Sequence, residues 1–255
     1  MSADLEGITP PSRGLLFLEG RALLEFAALL PAYPLLQRAP RGDGHPVLVL
    51  PGLMASDFST RALRRFLRDR GYSAHGWKLG RNLGPTPENA AAMVERLREL
   101  HDRYQRRVSL IGWSLGGIYA RELARRYPSL VRQVITLSSP FRNVDATNVP
   151  HFLRVRATSR PLHNQDAMRA QLAASLEVPS TAIYSRSDGV VAWRSCRQDE
   201  GPLSENLEVE SSHFGVGHHP VVLLTIADRL AQPEGAWRPF SPPAGWRWPL
   251  VPRTA

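Results

Sequence analysis

The pentapeptide Val47-Leu48-Val49-Leu50-Pro51 constrains the fold of this chain more than any other feature. It is apolar at every position and bounded by Gly42-Asp43-Gly44 before and Gly52 after. That pattern reads as a strand buried on both faces, and such strands belong to parallel sheets covered by helices on each side. Residues 61–70 then read as an amphipathic helix, with Leu63, Phe66 and Leu67 on one stripe and arginines on the other. Asp57, Ser59 or Thr60 supplies its N-cap, Gly71 closes it, and residues 72–77 form the next strand. The unit repeats: Thr86 as N-cap and Pro87 at the first helical position open a helix through about residue 104, followed by a buried strand at 108–112. Further strands are expected at 131–138, 181–185 and 207–210, with helices at 115–127 and from Pro220 to before Pro233. Alternation of this kind predicts an α/β fold built on a doubly wound, mostly parallel sheet.

With 43% hydrophobic and 22% charged residues the chain is too apolar to be disordered, and 255 residues suit one large domain. Three stretches escape the strand–helix rhythm: an N-terminal helical segment at 1–40, an insertion at 140–179 with helical composition near 166–176, and a Trp- and Pro-rich tail at 237–255. The single cysteine, Cys196, excludes an intramolecular disulfide and a thiolate zinc site. The net charge of +9 comes from 31 arginines and one lysine, Lys78, spread among acidic residues. A basic stripe interleaved with aromatics would point to nucleic acid; this scatter does not.

The apolar segment 15–36 is neither a signal peptide nor a membrane span. Asp4 and Glu6 precede it where a signal carries positive charge, and Glu19, Arg21 and Glu25 interrupt it. Its longest uncharged run, 26–37, is too short to cross a bilayer and contains Pro31 and Pro34. A helix at about 11–30 packed on the body of a cytoplasmic protein is the expectation, with peripheral docking of that helix on a membrane as the alternative.

Chemistry concentrates in Gly112-Trp113-Ser114-Leu115-Gly116-Gly117, which lies between an apolar strand and a helix. A G-x-S-x-G sequence in that context forms a sharp turn that lifts the serine hydroxyl above the sheet edge, over the donor end of a helix. A serine hydroxyl is a poor nucleophile until a histidine takes its proton, and that histidine needs an acid to orient it. Asp188, in Ser187-Asp188-Gly189-Val190, follows the strand at 181–185 and emerges at the carboxyl end of the sheet. His213, in Ser211-Ser212-His213-Phe214-Gly215, follows the strand at 207–210. His218 and His219 share its loop but abut Pro220 and the helix start, where capping suits them better. Two backbone amides should hold a tetrahedral oxyanion: that of Leu115 and that of Leu53, with Met54 as the alternative second donor.

These stretches, with Leu50-Pro51-Gly52-Leu53, fall in an order that resembles the α/β-hydrolase superfamily, and within it bacterial serine lipases and esterases, over about residues 47–230. Such lipases commonly have His-Gly where this chain has Pro51-Gly52. The resemblance implies an α/β-hydrolase fold, ester hydrolysis through an acyl-enzyme without metal or organic cofactor, and a small helical cap built from 140–179.

Met54, Trp113, Phe141 and Phe152 are candidate walls of an acyl pocket, with Leu153 and Met168 beside them. Asp166 is the rival acid, better explained as a helix cap. His45, His101, His151 and His163 show no metal-ligand spacing. The expected partner is a small acyl ester or lipid, cleaved by an ester hydrolase. A thioesterase or acyltransferase would share the same residues. A binding protein without turnover would need one of the three displaced.

Overall fold

The computed structural model describes residues 7–150, 171–242 and 251–254. Among them, seven strands form one sheet: β1 (Pro46–Leu50), β2 (Ser73–Gly76), β3 (Val108–Trp113), β4 (Val131–Leu137), β5 (Ser180–Tyr184), β6 (Ser204–Glu208) and β7 (Arg253–Thr254), in spatial order β2-β1-β3-β4-β5-β6-β7. Every pairing is parallel except β6 with β7. Among the described residues the helices with both bounds in view are α1 (Arg13–Leu18), α2 (Ala22–Ala27), α3 (Leu29–Leu36), α4 (Arg61–Asp69), α5 (Pro87–Tyr104), α6 (Leu115–Arg126) and α7 (Pro220–Ala231). This is an α/β-hydrolase fold.

The alternation of side chains along β1 explains why both faces must be covered. Val47 and Val49 pack under α3, α4 and α7 with Leu36, Leu63, Phe66 and Leu223, while Leu48 and Leu50 pack under α5 and α6 with Leu97, Leu100 and Leu123. From β1 the chain steps outward to β2, then crosses back to β3 and continues the other way. The carboxyl ends of β1 and β3 therefore flank the reversal point, where open α/β sheets form their ligand crevice.

Several expectations needed correction. The sixth strand starts three residues early, at Ser204 rather than 207, because Ser204, Glu205 and Asn206 are buried polar residues that no apolar run betrays. Glu205 accepts from Thr181 and Arg229 at 2.8 and 2.9 Å. The tail is not without an element, since Arg253 and Thr254 pair with β6. Thr86 caps α5 as expected, accepting from the Asn89 amide at 3.1 Å. Thr60 stands before α4 but makes no side-chain cap bond, and the Asp57 carboxylate instead accepts from the Trp77 and Lys78 amides. The N-terminal helical run extends past residue 30 to Leu36, with a 3-10 turn at Glu19–Arg21 and Pro34 inside its last part. Phe152, Leu153, Asp166, Met168, His151 and His163, and with them half of the expected cap, lie outside the described residues.

Candidate active site

The β3–α6 connection has almost no slack. Ser114 sits at φ 53° and ψ −121°, a sparsely populated conformation that the turn imposes. Its amide donates to the Leu137 carbonyl on the neighbouring strand at 2.8 Å. A β-carbon at Gly116 would lie 2.2 Å from the Leu50 carbonyl oxygen, so only glycine lets α6 start so close to β1.

Asp188 and His213 reach Ser114 from the loops after β5 and β6. Asp188 Oδ1 accepts from the Val190 and Val191 amides at 2.8 and 2.9 Å, which fixes its carboxylate and leaves Oδ2 for the histidine. His213 Nδ1 lies 2.8 Å from that oxygen, and Nε2 lies 3.1 Å from Ser114 Oγ. With Nδ1–H donating to the carboxylate, Nε2 is free to accept the serine proton. Asp188 and His213 are buried. Burial alone would lower the basicity of the imidazole, but the Asp188 charge and hydrogen bond, with the charge of Glu19, outweigh it and raise His213 above its ordinary 6.5.

The β1–α4 turn abuts the serine: a β-carbon on Gly52 would sit 3.2 Å from Ser114 Cβ and 3.3 Å from the Trp113 carbonyl oxygen. Two donors were open in this turn, and the structure separates them. The Met54 amide is engaged by the Asn82 carbonyl at 2.7 Å, whereas the Leu53 amide has no hydrogen-bond partner among the described residues. Leu115, as the first residue of α6, has no acceptor within its helix. Asn82 was not singled out from sequence. Its buried side chain donates to the Pro51 carbonyl at 2.9 Å while its backbone holds Met54 and Ala55, so it sets the shape of the turn.

A model of the alpha/beta hydrolase family matches residues 47–253. The chain belongs to the alpha/beta hydrolase family. Among curated proteins no sequence matches it. Solved structures of similar fold include lipase B of Aspergillus fumigatus, at 18% identity and TM-score 0.58, with 76% of this chain covered but only 54% of that one. Lipase BlEst2 of Bacillus licheniformis in its mature form follows, at 15% identity and TM-score 0.52, covering 76% and 95%. The alpha/beta hydrolase enzyme MGS-MChE2, from a sediment metagenome of the Mar Chica lagoon in Morocco, gives 19% and 0.52 over 74% and 90%.

In this alpha/beta hydrolase the residues suggested as pocket walls have different surroundings. Phe141 is fully buried, with Arg121 over its ring at 4.2 Å and Ile118, Leu172 and Ala182 around it, so it is packing rather than an open wall. Trp113 turns under the histidine loop, where its Nε1–H donates to the His213 carbonyl at 3.1 Å. Met54 is exposed and adopts φ 60°. A cleft of about 280 Å³ lies between residues 7–11 and Arg186, Trp193 and Arg194, with Asp188 but not Ser114 in its wall. His218 stacks edge-on between Phe26 and Trp113, and His219 precedes α7 without a side-chain cap bond.

The unforeseen members of the candidate site come from the N-terminal run. Glu19 is buried, and its Oε1 accepts from the amides of Gly189 and His213 at 2.7 and 2.9 Å while Oε2 accepts from Phe214 at 3.1 Å. One carboxylate thus ties the acid loop to the base loop. Glu25 accepts from the Ser212 amide and from the Ser211 and Ser212 hydroxyls, and Arg21 donates to the Ser187 carbonyl at 2.9 Å. Only the separations of 170 and 194 residues hid Glu19 from a sequence reading.

A second Ser-His-Asp alignment exists away from this site. His45 Nε2 lies 2.9 Å from Ser109 Oγ, and His45 Nδ1 faces Asp43. His45 and Ser109 are fully buried, so no substrate reaches them. Burial, with the charges of Arg132 and Arg106, holds His45 down to about 4 against the pull of Asp43, which makes it a neutral bridge inside the sheet. Among the described residues, no three His, Cys, Asp or Glu side chains group as a metal site would.

Proposed function

We propose that this chain is a serine hydrolase of carboxylic esters with an apolar acyl group, acting through an acyl-enzyme on Ser114. The observation that carries the reading is the continuous series of contacts from the Val190 and Val191 amides through Asp188 and His213 to Ser114 Oγ. In the proposed reaction, Ser114 Oγ attacks the ester carbonyl carbon as His213 Nε2 takes its proton. The negative oxygen of the tetrahedral intermediate accepts from the Leu53 and Leu115 amides. The intermediate collapses by breaking the bond to the alcohol, which leaves with the proton held by His213. Water then loses a proton to His213 as it attacks the acyl carbon, and Ser114 departs reprotonated with release of the acid. The exposed side chains of Met54 and Phe214, next to Leu53 and His213, make the surroundings apolar and favour an apolar acyl chain.

The test is a series of chromogenic esters of increasing acyl length, with wild type and Ser114→Ala, together with fluorophosphonate labelling. Wild type should turn over and carry the label on Ser114. Labelling should vanish in His213→Ala and persist when His218 or His219 is replaced. Equal rates in wild type and Ser114→Ala, or a label on another serine, would remove the assignment. Preferential transfer of the acyl group to an added alcohol or thiol over water would make the enzyme a transferase.

A further inference from the structure

The helical run of α1, α2 and α3 is turned inside out. It carries three charged side chains between Gly14 and Leu36, and all three face the protein: Glu19 and Arg21 against the loop carrying Asp188, Glu19 and Glu25 against the loop carrying His213. What faces outward is apolar. Phe17, Leu23, Leu24 and Leu30 are 88%, 79%, 73% and 82% exposed, and with Leu16 and Pro34 they recur at helical spacing as one stripe. No charged residue among 14–36 is exposed. A water-facing helix normally shows the opposite pattern, and contiguous apolar faces of this kind mark contact surfaces.

Charge decides between the occupants. The stripe is bounded by exposed Arg13 at one end and exposed Arg38 and Arg41 beyond the other, on a chain of net charge +9. An apolar band with a cationic fringe complements an anionic lipid surface, where the hydrophobic side chains sink to the acyl boundary and the arginines meet headgroup phosphates. A second copy would bring the same positive fringe against itself. The same run reaches the candidate site from its inner side: Phe26 packs on His218 beside Trp113, and the Phe214 amide, next to His213, donates to Glu19 while its side chain stays exposed. Among the described residues no helix is long and apolar enough to cross a membrane, so the contact is one of surface docking.

We propose that the outward face of this N-terminal run docks on an anionic bilayer and seats the Ser114 site at the lipid surface. Binding needs no turnover, so the proposal stands or falls apart from the ester-hydrolase reading. The experiment is co-sedimentation of the full chain with vesicles of phosphatidylcholine alone or with about 30 mol% phosphatidylglycerol. Wild type should pellet with the anionic vesicles, less with the neutral ones, and less at about 0.5 M salt. Leu23→Glu/Leu30→Glu should lower the partition coefficient about tenfold or more, with Tm and hydrolysis of a soluble short ester unchanged. Arg13→Glu/Arg38→Glu should remove the preference for anionic lipid. The proposal is overturned if wild type stays in the supernatant, or if Leu23→Glu/Leu30→Glu binds as well as wild type, which would trace binding to general basicity. A wild-type dimer in sedimentation that the leucine variant dissolves would overturn it too, by making the face a subunit interface.

Discussion

Glu19→Gln isolates what the N-terminal run does for the site. Glutamine keeps a carbonyl oxygen for the Gly189 and His213 amides, now held at 2.7 and 2.9 Å, but presents an NH2 group to the Phe214 amide, now held at 3.1 Å. A buried donor without an acceptor costs about 1–3 kcal/mol. The two remaining bonds lose their charge assistance, which roughly halves their strength. A total of about 3 kcal/mol follows, and at this chain length that lowers Tm by roughly 6–12 °C.

Activity gives a second and sharper readout. The Glu19 charge is one of the causes that hold His213 above 6.5. Since the imidazole must be neutral to accept the serine proton, activity in wild type should fall as pH drops through that raised value. In Glu19→Gln this acid limb should move to lower pH, while the Asp188 contact persists. The linked stability has the opposite sign: the His213 pairing stabilises the fold fully below 6.5 and is lost as pH rises through the raised value. Thermal unfolding by circular dichroism and kcat/KM on a soluble ester across about pH 5 to 9 check both effects. An unchanged Tm together with superimposable acid limbs would refute the idea that this carboxylate ties the two loops and acts on the imidazole.

Three further outcomes are expected. In Asp188→Asn the two loop amides keep their acceptor but the imidazole loses the partner that selects its tautomer, so kcat should fall by about 10⁴ with little change in unfolding; a loss below tenfold would exclude the acid role. Gly52→Ala places a methyl carbon 3.2 Å from Ser114 Cβ, so a displacement of the serine should cut kcat about tenfold or more without unfolding the protein, and a wild-type rate would show that the turn does not press on Ser114. His45, held at about 4 in the fold against 6.5 when free, contributes stability present above 6.5 and lost as pH falls toward 4; denaturant midpoints at pH 7 and 5 should show the decline, and His45→Phe should flatten it.

Much of the fold and the core of the candidate site were legible in the sequence because their signals are local. The Val47–Leu50 run can only be a strand buried on both faces, the Thr86-Pro87 start caps a helix, and a serine between glycines at a strand–helix junction has few other conformations open to it. Asp188 and His213 were legible because each follows a strand in the order that lets parallel strands deliver both to one sheet edge. The Ser204–Glu208 strand was misread at its start because its burial is polar and compensated by partners distant in sequence.

Tertiary structure alone decided the rest. That Met54 rather than Leu53 has its amide engaged among the described residues depends on the Asn82 carbonyl, and that Trp113 serves the histidine loop depends on a bond spanning 100 residues. The orientation of the N-terminal helix was beyond the reach of periodicity, which says that charged and apolar residues occupy different faces but not which face turns inward. Ordinarily the apolar face wins because water solvates charge cheaply. Here the carboxylates of Glu19 and Glu25 accept from backbone amides in the Asp188 and His213 loops, and these long-range bonds turn the charged face inward and leave the leucines outside.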